Sequence, residues 1–178
     1  IIPRGSAGGF MMPLPEEKLV TGSKDIIAEI RVLFGGRASE ELVLDDISTG
    51  AYSDIKRATQ LAKVYVTKVG MNSEFGPVNL EASDDMNYNW IPNISDETSR
   101  EIDLEVRKML KVEYDNTLNV LRNNRDKLDA IANLLLEKET VTGAEVRELI
   151  NPMVEGTHVE ENHVEESEEM KEINDLQN

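Results

Sequence analysis

The chain has 178 residues, 39% hydrophobic and 4% aromatic, with no cysteine and a formal net charge of −16 at pH 7. That length fits one domain, and a palette of Leu, Ile, Val, Met and Ala suits packed helices better than a β-sandwich. The charge argues against nucleic acid as a partner, the missing cysteines exclude a disulfide framework, and no apolar run is long enough to span a membrane. Ile1-Ile2 and Gly8-Gly9-Phe10-Met11-Met12 read as two short extended pieces joined by the turn Pro3-Arg4-Gly5-Ser6, an N-terminal β-hairpin ended by Pro13 and Pro15. These first residues lack an initiator Met and a signal-peptide pattern, so the chain reads as a fragment of a longer protein.

A helix is predicted after Ser23, with Ile26, Ile27, Ile30, Leu33 and Phe34 along one stripe. At Gly35-Gly36-Arg37 two readings stand. The glycines stop the helix, or the helix continues to Leu42 and they let a second helix pack very close. The stretch from Ser48 to Thr59 opens another helix, capped by Ser48 or Thr49 and running to about Val69, where Gly70 ends it. Its inward residues are Ile55, Ala58, Ala62, Tyr65, Val66 and Val69. Asp54 lies in its first turns, among the small residues Gly50, Ala51 and Ala58. On the residues alone, Asp54 is either an acid complementing the helix dipole or a carboxylate presented to a cation, an Arg or free N–H groups held between packed elements.

Residues 71–94 look irregular, and nothing is assigned to Trp90. Ser95 caps the longest helix, whose Ile102, Val106, Met109, Leu110, Tyr114, Thr117, Leu118 and Leu121 recur every three or four residues. After Asn123-Asn124 a further helix carries Leu128, Ile131, Leu134 and Leu135, and the two are expected to pack antiparallel as a long C-terminal αα-hairpin. Thr142-Gly143-Ala144-Glu145 has capping-box spacing before a short helix. From Asn151 on there are nine acids and one base, so residues 151–178 read as a disordered acidic tail behind a mainly α body of residues 1–150.

Several segments together resemble the FtsH-type ATP-dependent zinc metalloproteases. They are Ile1-Ile2-Pro3-Arg4-Gly5, Gly35-Gly36-Arg37-Ala38-Ser39-Glu40-Glu41-Leu42 and Ser48-Thr49-Gly50-Ala51-Tyr52-Ser53-Asp54-Ile55-Lys56-Arg57-Ala58-Thr59, followed by Val66 to Met71, Phe75 to Val78, Ser95 to Thr98 and Leu135 to Val141. The last full motif matches S-T-G-A-x-x-D-[IL]-x-x-A-T. The resemblance implies a helical peptidase domain that binds zinc through two His of an H-E-x-x-H helix and one distant Asp, which maps to Asp54. Glu40 would support that site without binding the metal, and Glu41 reads as part of a solvated helix face. Such a donor set leaves a zinc position for water, with the Glu of H-E-x-x-H as general base. Gly9, Phe10, Met11 and Met12 would form a strand edge that holds unfolded substrate by backbone hydrogen bonds, an ordinary hairpin strand being the alternative.

No H-E-x-x-H and no G-x-x-x-x-G-K-[ST] occur here, so two ligands, the general base and the ATP site are expected upstream, and this piece alone is expected to be inactive. By resemblance the parent is a membrane-anchored homo-hexamer degrading unfolded and membrane proteins. This domain would lie on the cytoplasmic side or its organellar equivalent, tied to the membrane only through upstream segments. His158 and His163, five residues apart in the acidic tail, do not share a helix face and are not read as ligands. The alternative is a non-catalytic oligomerisation or scaffold domain derived from such a protease. A weaker third reading is a helical interaction module whose tail recruits basic partners.

Overall fold

The structure, a computed structural model, describes residues 20–80 and 94–151. The expected hairpin with Gly9 to Met12, Trp90, and the tail beyond Asn151 with both histidines lie outside these residues. Among the described residues every regular element is helical. They fall into two compact units divided between Val141 and Thr142.

Ile26, Ile30, Phe34 and Ala38 recur at intervals of four, which draws one apolar line along a helix, and they are the buried residues of α1 (Ser23–Leu44). The Gly22 N–H donates to Asp25 Oδ2 at 2.9 Å, closing the first turn with an acid that also complements the dipole. Helix α1 runs straight through Gly35-Gly36. Of the two readings of that pair, continuation holds, but no described atom lies within 4 Å of where a Cβ on either glycine would sit. The glycines therefore do not serve a close helix approach among the described residues. Phe34 and Ala38, buried on either side, hold the helix together, and burial outweighs a propensity cost of about 1 kcal/mol per glycine. The helix stops at Asp45, which takes the left-handed conformation at φ 51.

A 3-10 turn, Thr49–Ala51, leads into α2 (Tyr52–Thr67), which buries Ala58, Ala62 and Val66. It ends at Thr67, earlier than expected, so Val69 falls out of helical phase and is 43% exposed instead of inward. Gly70 at φ 61 then turns the chain, with its Cα face only 3.0 Å from Pro77 Cα for any added Cβ. Asn72 is buried, accepts the Glu74 and Phe75 N–H groups, and donates to Glu105 Oε2 at 3.3 Å. That side chain gives the irregular loop a fixed seat on the next helix.

Ser95 Oγ accepts the Thr98 N–H at 3.1 Å and opens α3 (Asp96–Asn123), with Asp96 and Glu97 in its first turn. Val106 from α3 joins Ile26, Ile30, Phe34, Ala58, Ala62 and Val66 in the core, flanked by Ile102, Met109, Leu110 and Tyr114. Helix directions follow from the pairs that cross. Ser23 with Tyr65 (2.9 Å) and Glu29 with Arg57 (3.1 Å) make α1 and α2 antiparallel. Arg31 with Glu113 on α3, and Leu42 O with Nη1 of Arg125, two residues past the end of α3, at 3.3 Å, make α3 run alongside α1 in the same sense. The first unit is an up-down-up bundle.

The αα-hairpin expected at Asn123-Asn124 does not form. Helix α4 (Arg125–Lys138) follows α3 after Asn124 alone, meets it little beyond that junction, and buries no residue fully. Reversal of a helical chain needs a loop of about two to five residues, which a one-residue break does not supply. In the second unit, α5 (Gly143–Ile150) has the expected capping box. Thr142 Oγ1 accepts the Glu145 N–H at 3.3 Å, and Glu145 Oε2 accepts the Thr142 N–H at 2.8 Å. No described helix is long and apolar enough to cross a membrane.

Candidate metal centre

Two residues set the entrance to α2. Ser48 caps the 3-10 turn before α2, its Oγ accepting the Gly50 N–H at 3.1 Å, whereas the N-cap of α2 itself is Ala51, which makes no side-chain cap bond. The same hydroxyl donates to Glu40 Oε1 at 2.8 Å, and the Ser48 N–H donates to Glu40 Oε2 at 2.9 Å. Glu40, near the end of α1, thereby grips the turn that starts α2. A Cβ at Gly50 would stand 3.2 Å from Ser48 Oγ, close enough that the hydroxyl would have to shift by a few tenths of an ångström, and 3.8 Å from Glu40 Oε1, an ordinary contact. Ala51 is buried next to it, so the turn is pinned on both sides. The Ser48 backbone N–H foremost, then the Ser48 hydroxyl, hold the Glu40 carboxyl below its ordinary value, with Arg37 adding to this.

Asp54 sits in the first turn of α2, where the helix dipole favours its negative charge. Its side chain is exposed, and no described residue hydrogen-bonds to it or pairs with it. It is a carboxylate with its lone pairs open, standing six residues beyond the Glu40-gripped serine. Carboxylate oxygen is a donor that zinc accepts alongside imidazole. No group of three or more His, Cys, Asp or Glu among the described residues could hold a metal. Gly9, Phe10, Met11 and Met12 lie outside the described residues.

Glu41 is exposed, in keeping with the reading of a solvated face, but it also makes a tertiary contact. It accepts the Tyr114 hydroxyl, tying the end of α1 to α3, while the Tyr114 ring stands edge-on to Phe34 at 5.4 Å between centroids. Burial first, then Glu41, push the Tyr114 phenol up to about 12. The sequence also left Glu29 and Arg57 unremarked. They lie on different helices, 28 residues apart, and no periodic pattern marks a pair of that kind.

The family model described as peptidase family M41 matches residues 1–149. An ATP-dependent zinc metalloprotease FtsH of Leptotrichia buccalis is 59% identical over 174 residues, 95% of this chain and 22% of that protein. The one from Streptobacillus moniliformis is 62% identical over 151 residues, 85% of this chain and 22% of that protein. The one from Thermus thermophilus is 39% identical over 152 residues, 84% of this chain and 24% of that protein. The chain thus spans about a fifth to a quarter of the length of these curated relatives.

Proposed function

This chain belongs to peptidase family M41, and on that premise we propose that residues 1–150 are the C-terminal part of the peptidase domain of an ATP-dependent zinc metalloendopeptidase, followed by an acidic tail at 151–178. Asp54 is the zinc ligand this part contributes. One observation carries the assignment: an open, unpaired carboxylate at a helix start whose turn is clasped from a second helix. An ordinary dipole-complementing acid needs no such clasp.

In this reading Asp54 offers its oxygens to the metal and holds α2 against it. Glu40 acts at one remove, by fixing Ser48 and so the 3-10 turn that leads into α2. Ala58, fully buried one turn after Asp54, lets α2 lie close against its neighbours. Zinc, when bound, supplies Lewis acidity for hydrolysing a peptide carbonyl near neutral pH. The remaining ligands, the general base and the ATP site come from sequence that these 178 residues do not contain. The whole protein is a membrane-anchored hexamer that degrades unfolded and membrane proteins, with this domain on the cytoplasmic side or its organellar equivalent. Gly9 to Met12 form its substrate-holding edge.

The test is Asp54→Asn in the protein carrying this chain together with its upstream sequence. Zinc content and casein hydrolysis should both fall to background while the helical circular dichroism is kept. Full zinc content in that variant would overturn the assignment and favour a scaffold without metal.

A further inference from the structure

Asp54 and Arg57 stand three residues apart on α2, a spacing that brings opposite charges within pairing distance on one helix face. They do not pair. The Arg57 guanidinium instead crosses to α1, where its Nε and Nη2 donate to Glu29 Oε1 at 3.3 and 3.1 Å. Nothing else on α2 competes for it: Ser53, Gln60 and Leu61 fill the other positions three and four residues from Arg57, so Asp54 is the one carboxylate within a turn. An arginine fork on a carboxylate occupies both oxygens, which are the donors a metal needs.

We propose that Glu29 is a positioning residue for the metal site, an anchor that keeps the Arg57 cation on α1 and leaves the Asp54 oxygens open to zinc. The inference rests on the reading of Asp54 as a ligand. Both partners of the anchor are well exposed, at 60% and 43% for the side chains of Arg57 and Glu29, so the pair is weak in water and so is its competitor. Loss of the anchor shifts a balance between two comparable partners; it does not abolish the site.

The experiment measures zinc affinity by competition with a chromophoric chelator, in the protein carrying this chain and its upstream sequence. Four variants are compared: Glu29→Gln, Arg57→Gln, the double variant, and Asp54→Asn. Glu29→Gln should weaken zinc binding about two- to fivefold, the range expected of exposed ion pairs. Arg57→Gln should bind zinc as well as the parent or better, and adding it to Glu29→Gln should restore affinity. A bridge with a purely structural role would instead make both single variants equally weak and leave the double variant unrescued. That pattern, or an unchanged Glu29→Gln, overturns the proposal. Asp54→Asn reports separately: if it keeps zinc, the ligand assignment falls, whereas loss of zinc there with an inert Glu29→Gln sinks only the anchor.

Discussion

Both carboxylate oxygens of Glu40 are taken by a single residue, Ser48, eight positions along the chain: one by its amide, the other by its hydroxyl. Between them α1 ends at Leu44, Asp45 takes a left-handed conformation, and no regular structure follows until Thr49. The grip on Ser48 is what converts this loop into a fixed start for α2.

That grip is pH-dependent in one direction. The folded-state value of Glu40 lies below its ordinary 4.5, so the contact contributes fully above that value and is lost as pH falls through the lowered one. The Ser48 amide resonance should shift on acidification with its midpoint below 4.5. Glu40→Gln should remove this acid transition; a transition that persists in the variant would assign it to another group.

Ala58 and Ala62 have no exposed surface, so the space between α2 and its neighbours is already filled. Ala62→Leu should destabilise the bundle by about 1–3 kcal/mol through overpacking. Urea denaturation would show it as a lower midpoint at unchanged slope. A neutral result would mean that α2 has room to shift.

Arg31 and Glu113 respond unequally. Glu113 is buried, and among the described residues its carboxylate accepts from Arg31 and Asn116 alone, whereas the Arg31 side chain is 43% exposed and can turn to water. Arg31→Met strands a carboxylate and should cost about 2–3 kcal/mol, while Glu113→Gln keeps an acceptor and should cost about 1 kcal/mol. Equal losses would contradict this asymmetry.

Gly36 lies within α1 at a helical φ, with open space where a Cβ would stand. Gly36→Ala should therefore stabilise the isolated chain by about 0.5–1 kcal/mol, mainly by restricting the unfolded state. Thermal melting reads it directly, and a lower midpoint would point to a neighbour packed on that face.

The helices were largely legible because their apolar residues recur every three or four positions and their caps are local. Ser95 and the Thr142–Glu145 box act within three residues, which is the range over which sequence spacing speaks. What spacing did not reveal was tertiary. The route of α1 through Gly35-Gly36 depends on what Phe34 and Ala38 touch, and the failed reversal at Asn124 depends on the conformation of one residue. Of the site, Asp54 and Glu40 were visible as a motif, but Glu40's partner was not, since a contact across eight residues has no fixed period. The contact of Glu41 was hidden for the same reason: Tyr114, whose hydroxyl it accepts, is 73 residues away.

Asp54 and the core alanines share one helix, so a cation captured at Asp54, as proposed, would draw on the helix that also builds the core. A cation held there at a hundred times its Kd would add about 2.7 kcal/mol by mass action, a large fraction of the stability of a small domain. Chelation would then loosen the bundle as well as silence it, and an unloaded molecule would be the one more readily unfolded and cleared.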